Sequence, residues 1–205
     1  MESKLLPVFG FEDSLIDYKG EFSFLIAFSG CNIKCKHCFV YESMQSFTEY
    51  SLVDLVEKIS KSARLYSAIV FTGGEPCLYQ IELEELCKVA KINNLKTKIL
   101  TNGTNISFLE ELVEKNLVDS IGFSIKSQLD LEECFMDYES VQQNILQFTM
   151  YNKDKIDIDW YIVKTKELEK DEDFKEFISK VSFSNIHWKD EMKVINESNI
   201  QKCVS

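Results

Sequence analysis

Apolar and polar positions follow two rhythms along this chain. Short apolar runs recur at Phe22 to Ser29, Ala68 to Thr72, Thr97 to Thr101, Ser120 to Ile125 and Ile156 to Val163, with a weaker one at Asn185 to Trp188. Each is short enough to predict a strand rather than a helix. Between them the apolar positions take helical spacing. Leu52, Leu55, Val56 and Ile59 fall at i, i+3, i+4, i+7 behind Ser51, a residue type that caps helix N-termini; Leu83, Leu86, Cys87 and Ala90 repeat the spacing, as do Phe174, Phe177, Ile178 and Val181. About six strand–helix units in alternation predict an α/β fold, a parallel sheet with outer helices that can curl into a barrel or part of one. In such folds the chemistry lies at the C-terminal strand ends. No repeat, low-complexity tract or Pro/Gly-rich linker interrupts the pattern, so residues 1–205 are expected to form a single domain.

Charge narrows the partners. The chain has 34 acidic against 23 basic residues, a net charge of −11. An acidic surface repels phosphate backbones, which argues against nucleic acid as a partner; it suits solubility or a basic protein partner. Met1 to Ser14 has no charged head followed by an apolar stretch, and the longest apolar run, near Phe22 to Phe28, is far short of the roughly 20 residues that span a bilayer. No membrane association is expected, and the expected location is the cytoplasm. There the seven cysteines are thiols or metal ligands rather than disulfides.

Three of those cysteines follow the first strand directly, in Ser29-Gly30-Cys31-Asn32-Ile33-Lys34-Cys35-Lys36-His37-Cys38. Thiolates spaced C-x3-C-x2-C are soft ligands suited to one metal centre. An iron–sulfur cluster with only protein ligands takes four cysteines; three leave one iron open, and catalysis uses an open metal position. On spacing alone the rival is a structural zinc site with His37 or Cys77 as fourth ligand. The second strand ends in Phe71-Thr72-Gly73-Gly74-Glu75-Pro76. Two glycines allow close approach of a ligand to the backbone, and Glu75 with nearby carbonyls can accept hydrogen bonds from an ammonium group.

The cysteine loop after the first strand and the Gly-Gly-Glu-Pro turn after the second together resemble the radical S-adenosylmethionine (radical SAM) superfamily. The resemblance implies a partial (β/α)6 barrel of parallel strands with outer helices. It implies a [4Fe-4S] cluster on Cys31, Cys35 and Cys38, with the amine and carboxylate of S-adenosyl-L-methionine on the open iron and Gly73, Gly74 and Glu75 holding the amine. His37 stands at the family's aromatic position before the last cysteine. A narrower resemblance is to activating enzymes of glycyl-radical proteins. Asp17-Tyr18-Lys19-Gly20 is similar to their Asp-Tyr-Pro-Gly, with Lys19 in place of proline. Leu100-Thr101-Asn102-Gly103 is similar to their Asp-Thr-Asn-Gly, and Ser124-Ile125-Lys126 to their Asp-x-Lys. That match implies Lys126 at the carboxylate of S-adenosylmethionine, with Asn102 and Ser124 beside the ligand. His187, at the sixth strand, is implied against the adenosine.

Within this group the chain most resembles activators of anaerobic ribonucleotide reductase, which implies that reductase as the glycyl-radical partner and an electron donor such as flavodoxin or ferredoxin. Activators with an inserted ferredoxin domain need about eight further cysteines; only Cys77, Cys87, Cys134 and Cys203 remain. Cys87, on an apolar helix face, is expected to be a buried small hydrophobe, and Cys77 to be structural. Cys134 and Cys203 carry no pattern. Lys164 is expected to be solvated, and Trp160 and Tyr161 to be packing residues. The alternative function is a radical SAM enzyme acting on a small molecule, such as 7-carboxy-7-deazaguanine synthase; of that family's Gly-Glu-Gly segment only Lys19-Gly20-Glu21 occurs here.

Overall fold

The computed structural model describes residues 5–133, 137–166, 168–181 and 185–190. In chain order the elements are β1 (Leu5–Ser14), β2 (Ser23–Phe28), β3 (Lys34–Cys35), β4 (Thr48–Ser51), α1 (Leu52–Ser62), β5 (Ala68–Gly73), α2 (Gln80–Ile92), β6 (Lys96–Thr101), α3 (Ile106–Glu114), β7 (Ser120–Ile125), β8 (Leu131–Glu133), α4 (Tyr138–Asn152), β9 (Asp157–Lys164), α5 (Glu172–Ser179) and β10 (Ile186–Asp190). Eight strands form one sheet in the order β10-β9-β7-β6-β5-β2-β1-β4. From β2 to β10 every neighbouring pair is parallel and the spatial order follows the chain order. A sheet that adds strands in one direction has no switch point. Its crossovers therefore lie on one side, and the sheet curls with its helices outside, as in a barrel left open. The six parallel strands coincide with the six apolar runs of the sequence.

The two faces of the sheet bury different things. Outward residues such as Ile26, Phe28, Ile69, Phe71, Ile121, Phe123 and Trp160 meet Leu55, Leu86, Leu112, Phe148 and Phe177 of the helices in the main core. Trp160 is fully buried; its indole N–H donates to Thr149 Oγ1 at 3.1 Å, and its ring stacks 5.7 Å from Phe177. Along β5 the intervening residues Ala68 and Val70 face inward, where they pack with Leu25, Leu100 and Tyr18. The helix starts follow from local chemistry. Ser51 Oγ accepts from the Asp54 N–H at 3.2 Å while the Asp54 carboxylate accepts from the Ser51 N–H at 3.0 Å, a reciprocal cap on α1.

The sequence gives no warning of β1 and β4. β1 pairs antiparallel with both β2 and β4, with a register shift between Val8 and Gly10. Pro7 needs no N–H partner there, and its carbonyl accepts from Ser29 N at 2.8 Å, beside the start of the cysteine loop. Asp17-Tyr18-Lys19-Gly20 lies in the β1–β2 connection. Tyr18 packs against Leu25, Ala68 and Val70, and the Lys96 and Lys98 ammonium groups lie 5.9 Å from its ring. This segment therefore closes the N-terminal end of the barrel, opposite the strand ends that carry the cysteines. Among the described residues no helix is long and apolar enough to cross a membrane.

Candidate active site

The cysteine loop is fastened on three sides. At its start Gly30 takes φ +87°, and its carbonyl accepts the Glu75 N–H at 2.8 Å; the Tyr79 hydroxyl donates to the Ser29 carbonyl at 2.7 Å. A second tie runs to the end of β6. Asn102 Nδ2 donates to Asn32 Oδ1 at 2.8 Å and lies 3.8 Å from Cys31 Sγ, while Asn32 Nδ2 donates to Thr104 Oγ1 at 2.8 Å. The third side is the β3–β8 pair, which sets Cys35 opposite Leu131; Lys36 N–H donates to the Asp130 carbonyl at 2.9 Å. Loop geometry is thus imposed from the ends of β5, β6 and β7, the places where a parallel barrel keeps its chemistry.

The glycine turn is shaped by that loop. A side chain on Gly73 would put its Cβ 2.2 Å from the Phe28 carbonyl oxygen, and one on Gly74 would sit 2.0 Å from the Gly30 oxygen and 2.6 Å from Met44 Sδ. The sequence suggested room for a ligand at these glycines; the space beside them belongs in part to the chain's own backbone.

Cys31, Cys35, Cys38, Gly73, Gly74, Asn102, Ser124 and Lys126 all line one cavity, together with His37, Phe39, Val40, Leu100, Gly122, Tyr161 and Lys189 among others. Among the described residues no aspartate or glutamate lines the cavity. Lys126 Nζ donates to Ser124 Oγ at 2.7 Å. Burial pushes the Cys35 thiol up to about 11, with the charge of Lys126 pulling the other way, so without metal the thiol holds its proton at neutral pH. Among the described residues no three His, Cys, Asp or Glu side chains converge on a point as a single ion requires. Cys31, Cys35 and Cys38 border one shared cavity.

Two residues singled out from the sequence stand elsewhere. Glu75 is 1% exposed and does not line the cavity. Its Oε1 accepts from the Cys77 N–H (3.0 Å) and the Thr101 hydroxyl (2.7 Å), and its Oε2 from the Asn102 N–H (2.7 Å). Burial pushes its carboxyl up, against the pull of these bonds. It acts as a brace between the ends of β5 and β6. His187 likewise does not line the cavity. Its Nε2 lies 2.9 Å from Asp159 Oδ1, and its ring stacks 5.0 Å from Tyr161. Tyr161 and Lys189 do line it, and sequence reasoning missed both. Tyr161 looked like packing, whereas period-two alternation from His187 along β10 puts Lys189 on the same inner face. Lys164 pairs with Asp190 at 3.7 Å in solvent. Cys77 lies buried beneath the turn, with its thiol 3.7 Å from Thr101 Oγ1, and Cys87 is in the core. Cys134 and Cys203 lie outside the described residues.

The sequence matches the family model described as "Radical SAM superfamily" over residues 25–138, the span from β2 to the start of α4. The chain belongs to the radical SAM superfamily. Membership implies a [4Fe-4S] cluster and S-adenosylmethionine. This radical SAM chain is 32% identical over 140 residues, 65% of its length and 57% of the relative's, to an inferred glycyl-radical enzyme activating enzyme of Methanocaldococcus jannaschii. It is 24% identical over 147 residues, 63% of its length and 58% of the relative's, to a 7-carboxy-7-deazaguanine synthase of the same organism. It thus spans less than two thirds of either relative. Among solved structures, TYW1 with a lysine-pyruvate adduct bound aligns with a TM-score of 0.53 at 17% identity, covering 86% of this chain and 67% of that one; the likeness supports the radical SAM partial-barrel fold.

Proposed function

We propose that this radical SAM enzyme is a glycyl-radical activating enzyme whose partner is an anaerobic (class III) ribonucleotide reductase. The observation that carries the reading is the gathering of Cys31, Cys35 and Cys38 with Gly73, Gly74 and Lys126 around one cavity at the C-terminal strand ends. Three sulfur donors on a cavity that, among the described residues, no carboxylate lines fit a four-iron, four-sulfur cluster that keeps one iron free of protein. A cluster held by Cys31, Cys35 and Cys38 would supply the one-electron reduction by which S-adenosylmethionine is cleaved. The residues of the chain bind and orient. In this reading Lys126, bonded to Ser124, takes the carboxylate of S-adenosylmethionine; Asn102 ties the loop at Cys31 to the end of β6; Leu100, Phe39 and Val40 give the cavity an apolar wall. Glu75 contributes by bracing Asn102 rather than by touching the ligand.

The activating step is supported by the M. jannaschii relative and by the likeness at Leu100–Gly103 and Ser124–Lys126. The electron donor in this reading is a flavodoxin or ferredoxin. Anaerobic incubation with dithionite, S-adenosylmethionine and the class III reductase from the same source should give a glycyl-radical signal in the electron paramagnetic resonance (EPR) spectrum. The second reading, a small-molecule enzyme such as 7-carboxy-7-deazaguanine synthase, rests on the other M. jannaschii relative. It takes over if S-adenosylmethionine is cleaved, a small pterin substrate is consumed and the reductase acquires no radical.

A further inference from the structure

The charge around the cavity does not resemble the charge of the chain. The chain carries 34 acidic residues, yet among the described residues none lines the cavity, and the lysines found there are Lys126 and Lys189. Lys126 already has company: it is bonded to Ser124, and its charge acts on Cys35. Lys189 comes from β10, at the open edge of the sheet, and its ammonium lies 4.7 Å from the Tyr161 ring centre. It forms no ion pair among the described residues, although the neighbouring Asp190 pairs with Lys164.

The platform under Lys189 is fixed. The Tyr161 hydroxyl is 3.1 Å from Lys98 Nζ, a lysine 2% exposed inside the barrel, and that ammonium also meets Asp159 at 2.7 Å. His187 stacks on the same tyrosine and bonds to the other oxygen of Asp159. Asp159 is therefore occupied by Lys98 and His187, and among the described residues Lys189 has no ion-pair partner. Lys189 is exposed to solvent, but its ammonium is held on the aromatic face at the rim of the cavity, so an anion entering there meets a charge already fixed in place. S-adenosylmethionine brings a single carboxylate, which the proposed function assigns to Lys126, and its other charged groups, an ammonium and a sulfonium, are cations that do not answer Lys189.

We propose that Lys189, seated on Tyr161, binds a carboxylate or phosphate group carried by the substrate. The proposal rests on the reading that this cavity takes both S-adenosylmethionine and the substrate, and it adds the substrate's chemical class: an oxyanion near the C–H bond that is broken. The source is either an acidic side chain next to the target glycine of a polypeptide or the anionic group of a small molecule.

The test compares anaerobically reconstituted wild type with Lys189→Met, Lys189→Gln and Lys189→Arg. Each is titrated, with S-adenosylmethionine present, with inorganic pyrophosphate and with an N-acetylated Asp-Gly dipeptide amide, followed by calorimetry. Wild type should bind at least one probe saturably. Lys189→Met and Lys189→Gln should weaken that binding tenfold or more at unchanged iron content, and Lys189→Arg should stay within about threefold, since it keeps the charge. Preference for pyrophosphate assigns the oxyanion to a small phosphorylated substrate, and preference for the dipeptide assigns it to a polypeptide. Failure of wild type to bind either probe overturns the proposal, as does wild-type affinity in Lys189→Met or Lys189→Gln. The titration needs no partner reductase, so it can fail while the activating-enzyme reading stands, and the reverse.

Discussion

Replacing Gly74 by alanine tests whether the glycine turn and the cysteine loop are one mechanical unit. The new Cβ would stand 2.0 Å from the Gly30 carbonyl oxygen, next to Cys31, and 2.6 Å from Met44 Sδ. Met44 can yield by rotating, but the Gly30 carbonyl is backbone and must retreat by about 1.4 Å or more to reach an ordinary contact. Overpacking of this kind costs about 1–3 kcal/mol. The retreat also strains the Glu75 N–H to Gly30 bond, now 2.8 Å, worth about 1 kcal/mol. Together these predict a loss of about 2–4 kcal/mol, or about 5–15 °C in the melting temperature of the apo chain at this size. Because the displaced carbonyl precedes Cys31, iron uptake after anaerobic reconstitution should fall as well. The assay is thermal unfolding of the apo protein with an iron and sulfide count on the reconstituted one. Gly10→Ala is the control, since a Cβ there meets only Ala27 at 3.9 Å. A Gly74→Ala protein that melts with wild type and fills with iron normally would refute the reasoning.

Cys31→Ala, Cys35→Ala and Cys38→Ala should each lose the cluster on reconstitution while Cys87→Ala keeps it, because Cys87 is sealed in the core; iron analysis decides. Asp159→Asn should destabilise the protein by about 3 kcal/mol, since it strands the buried Lys98 ammonium; urea unfolding measures it. The same pair sets an acid limit. Burial pushes the Asp159 carboxyl up, but its bonds to Lys98 and His187 outweigh this and hold it below the usual range. Its contribution is therefore complete above the ordinary aspartate value, near 4, and is lost as pH falls through the lower folded value; wild type should lose stability on acidification below about pH 4 more steeply than Asp159→Asn. Lys126→Met should weaken S-adenosylmethionine binding about 10- to 100-fold at unchanged iron content, the range for removing a charge-assisted hydrogen bond; equilibrium dialysis against the labelled ligand reports it.

The parallel strands were legible because helices cover one face and the barrel interior the other, leaving unbroken apolar runs such as Ala68 to Thr72. β1 was not, because Pro7 and Gly10 are strand breakers by composition and become tolerable only where the pairing shifts register. β4 is short and polar, and its place comes from β1. In the site, the cysteine loop stood out as a candidate because the spacing of its thiols is local, and the structure brings all three to one cavity. Glu75 was misdirected for the opposite reason. Its residue type suggested an acceptor for an ammonium, but the hydroxyl and N–H groups that claim its oxygens come from Thr101 and Asn102, a strand away. His187 was drawn off by Asp159 in the same way. Lys189 and Tyr161 were hidden because their significance lies in facing the cysteines across the barrel, a relation no local motif contains. The Asp17–Gly20 segment was recognisable as a motif, yet it lies at the closed end of the barrel and bears on folding rather than on what the cavity holds.

The account stands most directly on an open iron in a cluster held by Cys31, Cys35 and Cys38. The measurement is the EPR spectrum of the dithionite-reduced, anaerobically reconstituted protein before and after addition of S-adenosylmethionine. The account predicts a reduced four-iron cluster signal whose line shape changes when S-adenosylmethionine occupies the iron that lacks a cysteine. A protein that holds zinc and gives no such signal, or a cluster signal indifferent to S-adenosylmethionine, would contradict it.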